Sequence, residues 1–566
     1  MTSRGLPLVV SLALLACSGD DGDDTGSGPT SGTGEGSTTS VSQGETGAPT
    51  SQPTGGPSDA STEPATTAST EHSSSSGDPT ADCFKGSISA YQEHAALALA
   101  NLDGFECMIG SLSINQADLP DLKVLSSLRS ISGDLTISHS TLTSLAGLEK
   151  LEVIGEGLYF NGMSELTDID ALAGLKQLGG RLIFEHCDAL KTLPFTQLTT
   201  IPGELSLSSS GFVDLGGLAN VTSVGGSMWV NFNPELKSLA GLDGLTSIGG
   251  TLEIGNNALL VDLSGLNGVS GAIDSLEIVK NGALTTIGSW SLNSVVGDVT
   301  ITSNPALERP ASFPALTSIG GNLQVNNNAG LLDIAGLDAL TTIGGDLEIL
   351  SNKALLTIAG LDALTTIGGD LVISSNKALL GLDGLDALES ANIVTIGSND
   401  ALLALGGLDA LTTVTEWIDV TYNGALTELD GLGALIHPHF LRIEGNDKLT
   451  SLASLASLTS ADYLSINGNS ALVDLDGLQD LATLKGLQVN DNFALVAVDA
   501  LVPGAGGSLK TVSDTVHVVG NLALPACAAR KIHDALLKPP NYFCYIPNEP
   551  DACNEDPTLC KPLEPP

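Results

Sequence analysis

Between Leu347 and Asp370 a regular set of apolar residues falls at Leu347, Ile349, Leu355, Ile358, Leu361, Leu364 and Ile367, and the same spacing restarts at Leu371. Counted from the first leucine, these are offsets 0, 2, 8, 11, 14, 17 and 20. The initial alternation predicts a short strand, because successive side chains of a strand point to opposite faces. The three-residue spacing that follows fits a coil that turns one aliphatic side chain inward at each bend. The pattern recurs with strand starts at 112, 135, 158, 182, 205, 228, 252, 276, 299, 323, 347, 371, 394, 418, 441, 464, 487 and 516. The steps are 23 or 24 residues except the last, where an insertion around Pro503-Gly504-Ala505-Gly506-Gly507 is expected to loop out. A unit this short must stack on its neighbours to bury its apolar side chains. The expected fold is a β-rich solenoid of about 18 coils, with strands at ~4.8 Å spacing forming one parallel sheet roughly 85 Å long.

Offset 5 is asparagine in thirteen successive coils: Asn233, Asn257, Asn281, Asn304, Asn328, Asn352, Asn376, Asn399, Asn423, Asn446, Asn469, Asn492 and Asn521. An amide carries both donors and an acceptor, so a stacked row can satisfy turn backbone groups inside the coil. The earlier coils have Ala117, Ser140, Met163, Cys187 and Ser210 there, so the N-terminal third is expected to lack a continuous ladder. Glycine pairs such as Gly249-Gly250, Gly320-Gly321, Gly344-Gly345 and Gly368-Gly369 precede strands and read as sites of positive φ. The strand, the Asn position and the segment Leu355-Leu-Thr-Ile358-Ala-Gly-Leu361-Asp-Ala-Leu364-Thr-Thr-Ile367-Gly-Gly together resemble the receptor L-domain family, relatives of leucine-rich repeats. The resemblance spans residues 111–526 and implies a fold whose sheet face recognises other molecules. Receptor L domains are much shorter than this array, so a receptor-type ligand does not carry over.

Composition separates the rest of the chain from the repeats. Residues 1–16 combine Arg4 with an apolar run from Leu6 to Ala16, too short to span a bilayer, and read as an export signal. Leu14-Leu15-Ala16-Cys17 resembles a bacterial lipobox, which implies Cys17 as the lipid-attachment site. Ser18 follows it, where aspartate would resemble an inner-membrane retention signal, so an outer membrane or cell surface is the expected destination. Residues 17–82 form a Ser/Thr/Gly/Pro tether: from Ser18 to Asp82 there are eleven acids and no Leu, Ile, Phe, Tyr, Trp, Lys or Arg. A segment with so little to bury is expected to be disordered. The chain carries 21 basic and 65 acidic residues, a net charge of −44, which argues against nucleic acid or an anionic lipid surface as a partner.

Cysteines cluster at the ends of the repeats. Cys83 and Cys107 bracket residues 83–110, where an alternating Ile88/Ala90 piece and a helical stretch from Glu93 to Leu102 suggest an N-terminal cap closed by their disulfide. In residues 527–566, Cys527, Cys544, Cys553 and Cys560 follow a helix expected near Ala528 to Leu537. Of three connectivities, 527–544 with 553–560 is preferred, giving disulfide-closed caps at both ends. Their spacings contain no CxxC pair suited to zinc. Cys187 occupies the ladder offset and reads as a buried, inert thiol.

Outward positions on each strand are offsets 1 and 3. Asp419, Arg442 and Glu444 form the one compact mixed group there and read as a cross-strand ion pair. His437 and His439 flank Pro438 in a turn, with nothing to complete a metal triad. GxSxG, HExxH, GxGxxG and Walker spacings are absent. No catalytic residue, metal site or cofactor is therefore expected. The candidate binding face is Tyr159, Glu185, Trp229, Glu253 and Glu277, where aromatic anchors stand beside carboxylates. The expectation is a membrane-anchored, surface-displayed, non-catalytic recognition or adhesion protein with an unknown protein or glycan ligand. Its alternatives are a structural envelope spacer and, less favoured, a polysaccharide-acting β-helix enzyme.

Overall fold

All eighteen strands expected from the repeat form, and each pairs in parallel with the next. They are seen in a computed structural model that describes residues 83–545 apart from 311 and 539, with only the backbone described at Ala526, Cys527 and Tyr545. The signal segment, Cys17, the tether, Cys553 and Cys560 lie outside the described residues, as does any pairing through the Cys527 side chain. The register is strict. Leu347, Glu348, Ile349 and Leu350 sit opposite Leu371, Val372, Ile373 and Ser374, so equal offsets stack from coil to coil. Within this sheet one register shift, between Leu484 and Gly486, marks the coil that carries the insertion.

Every apolar offset of the repeat turns inward. In the coil that begins at Leu347, the seven residues Leu347, Ile349, Leu355, Ile358, Leu361, Leu364 and Ile367 are all at most 3% exposed. A second set of strands, two to five residues long, closes the far side of the coil, as where Thr342–Ile343 pairs with Thr366–Ile367. These short strands form sheets of five, three and seven members. In the coils that lack ladder asparagines, Phe160 and Phe184 stack at 4.8 Å, and Phe195 and Phe212 pack around Phe184 at 6.0 and 5.9 Å.

The ends extend the solenoid. Ile88–Tyr91 pairs with Leu112–Asn115 in the common register, so the N-terminal cap is itself a coil, the nineteenth. The helical stretch expected from Glu93 to Leu102 is a five-residue helix, Ala95–Leu99, between two 3-10 turns. The Cys83–Cys107 disulfide closes this coil, and by loop-closure entropy a loop of that size contributes about 3 kcal/mol. At the other end, helix Ala526–Ala535 leads into strand Tyr542–Tyr545, which pairs with Thr515–Val518 and buries Cys544.

The glycine pairs have a different origin from the one expected. None of Gly249, Gly250, Gly320, Gly321, Gly344, Gly345, Gly368 or Gly369 has positive φ. A Cβ on Gly344 would collide with the Gly320 carbonyl, and one on Gly345 with the Asn322 side chain. Close approach of successive coils, not backbone handedness, demands glycine there. Positive φ falls instead at offset 4, as at Ser351 (60°), and at offset 13, as at Gly360 (112°). The Gly360 N–H is capped by Asp362 Oδ2 at 3.1 Å, which explains the Gly-Leu-Asp of the repeat.

Candidate binding face

The thirteen asparagines are completely buried and form the expected ladder. Asn352 Nδ2 donates to the Val325 carbonyl at 2.7 Å, and Asn352 Oδ1 accepts the Asn328 backbone N–H at 2.9 Å. Each amide thus satisfies a strand carbonyl and a turn N–H of the coil before it. Where asparagine is missing, weaker groups stand in. The Ser140 N–H meets Met163 Sδ at 3.4 Å, and the Cys187 N–H meets Ser210 Oγ at 3.3 Å. Burial pushes the Cys187 thiol up to about 12, so it stays protonated and inert at neutral pH.

A second polar row, on the outside, escaped the sequence reading. The Asn322 N–H donates to Asp298 Oδ1 at 2.7 Å, Asp346 N–H to Asn322 Oδ1 at 2.7 Å, and Asp370 N–H to Asp346 Oδ1 at 2.8 Å. These side chains occupy the space that the second glycine of each following pair leaves open. The acids of this row therefore cap backbone groups.

On the sheet face, strand register decides which candidate residues meet. Tyr159 and Glu185 come together: the phenol donates to Glu185 Oε2 at 3.1 Å. Asn161, which the sequence reading missed, donates to Tyr159 Oη at 2.5 Å and to Glu185 Oε2 at 3.3 Å. Burial raises the Tyr159 phenol above its ordinary range, and the neighbouring carboxylate adds to this against the Asn161 bond. Trp229, Glu253 and Glu277 stand directly opposite one another on three successive strands. Burial, then the charge of Glu277, pushes the Glu253 carboxyl above the usual range, against a hydrogen bond from Asn231. Asn231 is a second missed member, and its Oδ1 is buried without a partner. Between the two groups, Ile183 and Ser206 occupy the row and are each 5% exposed. The face is thus two clusters, Tyr159–Asn161–Glu185 and Trp229–Asn231–Glu253–Glu277, separated by two closed positions. The signal for the asparagines was available: both lie at offset 3 of strands already singled out.

Other groups resolve as fixed contacts. Arg442 is bidentate to Asp419, at 3.0 and 2.6 Å, with Glu444 at 4.0 Å accepting the Tyr422 phenol. His437 Nδ1 lies 2.6 Å from Ser460 Oγ, whereas His439 faces Asp462 at 3.1 Å, so the two histidines do not converge. Among the described residues no three or more His, Cys, Asp or Glu side chains are grouped to hold a metal ion. A cleft of about 420 Å³ at the strand starts is lined by Asp134, Glu156, Arg181 and Glu204 with three glycines. None of its lining residues is aromatic.

The architecture defines a parallel β-solenoid of 23- and 24-residue coils. The sequence matches no protein-family profile and no curated protein. Among solved structures it is similar to a leucine-rich repeat protein from Bacteroides ovatus, at 13% identity and a TM-score of 0.22, over 66% of this chain and 79% of that one. At that level the similarity adds nothing on function, and the class rests on the coil geometry itself.

Proposed function

We propose that this chain is a non-catalytic recognition protein, held at a membrane by a lipid on Cys17 and displayed on the cell surface or outer membrane. The observation that carries the reading is the Trp229–Asn231–Glu253–Glu277 cluster. Two carboxylates are kept on adjacent strands beside an indole, although burial and the neighbouring charge of Glu277 disfavour the ionised form of Glu253. A ligand that brings a cationic or hydroxyl-rich group to this cluster relieves that repulsion while the indole supplies contact area. Glycans and basic protein surfaces are the two ligand classes that fit. A glycan and protein array probed with residues 83–566 tests the reading. Binding that is lost in folded Trp229→Ala and Glu277→Lys proteins supports it; full binding in both removes recognition from this face.

Coils from Leu323 to Leu403 support a second role as spacer. Leu337–Leu347 and Leu361–Leu371 are identical, and such uniform coils offer distance rather than varied contacts.

A further inference from the structure

The Trp229 cluster offers acceptors and few donors. Glu253 and Glu277 stand opposite each other on adjacent strands, and among the described residues neither has an ion-pair partner. Lys280 leaves the strand end at a φ of 57° and pairs with neither carboxylate, while Lys191 is taken by Glu235 at 2.8 Å. Asn231 is only 8% exposed, yet its Oδ1 has no hydrogen-bond partner. That oxygen lies 3.0 Å from where a Cβ on Gly255 would stand. It therefore looks into the notch this glycine leaves on the outward row of the Glu253 strand. The hydroxyls of the preceding strand, Ser206 and Ser208, bond to each other at 3.4 Å and are not on offer.

This set of groups selects its occupant. A sugar hydroxyl accepts as well as donates, and its lone pairs would face carboxylates here. A bare calcium ion takes about six to eight oxygens and would leave the indole idle. A lysine ammonium is a compact, strongly hydrated point charge. A guanidinium carries donors only, is planar and weakly hydrated, and stacks on aromatic faces. Strand pairing sets the two carboxylates on backbones ~4.8 Å apart, a spacing that suits its fork of N–H groups. Phe232, 56% exposed, follows Asn231 at the strand end and gives apolar contact to the residues that flank an arginine. The net charge of −44 draws a basic segment towards the face. We propose that the Trp229–Asn231–Glu253–Glu277 cluster seats an arginine side chain of a protein partner, its guanidinium on the indole and its N–H groups on the two carboxylates and Asn231 Oδ1. The proposal rests on this face being a recognition surface and narrows its ligand to one chemistry.

The test titrates the full chain into a fluorescently labelled Arg-Gly-Arg-Gly-Arg peptide at physiological ionic strength, where long-range attraction is screened, and reads anisotropy. The arginine peptide binds, its lysine counterpart binds several-fold more weakly, and its citrulline counterpart, equal in shape but uncharged, does not bind. This comparison uses the unaltered protein and so does not depend on any variant folding. Glu277→Gln and Asn231→Ala each weaken arginine binding by about ten-fold with an unchanged thermal midpoint. Glu348→Gln, which removes one charge from the same offset of a distant coil, has no effect. No arginine binding, equal binding of the lysine or citrulline peptide, or full binding by both cluster variants overturns the proposal. A glycan that needs Trp229 and Glu277, found on the array while the arginine peptide is ignored, overturns it too but leaves this face a recognition surface.

Discussion

The carboxylate of Asp346 fills the space into which a side chain at Gly369 would project, one coil later in the sequence. From there its Oδ1 accepts the Asp370 N–H at 2.8 Å. The acid and the glycine are one device, since the cap can form only where the next coil lacks a Cβ.

Gly369→Ala is therefore expected to destabilise the solenoid by about 1–3 kcal/mol, as overpacking does. Asp346→Ala alone should cost about 1 kcal/mol for the lost cap. Combined, the two should cost less than their sum, because removing the carboxylate makes room for the methyl group. Strict additivity in denaturant midpoints would show that the two side chains do not share that space.

Replacement of Asn352 by alanine leaves the Val325 carbonyl and the Asn328 N–H without their buried partner. The expected loss is on the order of 1–3 kcal/mol. Serine at this position should be milder, because the Ser140 hydroxyl donates to the Ala117 carbonyl and the Ser210 hydroxyl accepts the Cys187 N–H at the same offset. Equal midpoints for wild type, alanine and serine would contradict the buried ladder.

Glu253 provides the pH dependence. Its folded-state carboxyl is raised by burial and by Glu277, so the folded chain binds this proton more tightly than the unfolded one. The resulting penalty is fully present above the folded-state pKa and is lost as the pH falls through it. Glu253→Gln should thus raise the unfolding free energy at neutral pH, by less than about 1 kcal/mol for a partly exposed group. The gain should vanish in acid. A gain that persists unchanged at pH values where carboxyls are protonated would assign it to something other than charge.

Cys17→Ala is expected to leave the chain without acyl groups and released from the membrane. Mass spectrometry and membrane fractionation check this. A variant that still carries acyl chains would refute Cys17 as the attachment point.

Much of this fold was legible because a solenoid writes its structure locally. Each coil repeats one apolar spacing, so an error in one register would have shown against seventeen others. The ladder and the Cys83–Cys107 closure were legible for related reasons: a polar residue recurring among buried leucines must be satisfied, and two cysteines bracketing one coil are close once it closes. The terminal strands Ile88–Tyr91 and Tyr542–Tyr545 were harder, because each pairs on one side only and keeps little of the repeat. The outer Asp/Asn caps and the role of the glycine pairs depend on contacts between residues 23 or 24 apart, which inspection of a single coil does not reveal. On the binding face, Tyr159 and Glu185 meet across adjacent strands, but Asn161 and Asn231 look like ordinary exposed residues until register places them beside a phenol and a carboxylate.

The disulfide that closes the first coil has a mechanical meaning. Tension applied through the residues before Cys83 passes across the sulfur bridge directly to Cys107, so the cap cannot be drawn out while the bond is intact. The load then reaches the coils built on Ala117, Ser140, Met163, Cys187 and Ser210, which lack the buried amides that clamp each later coil to the one before. These coils should yield first, each releasing roughly 80 Å of extended chain. Pulling would then stall at Asn233, where the continuous row begins, leaving the remaining coils stacked beneath a spring of about five turns.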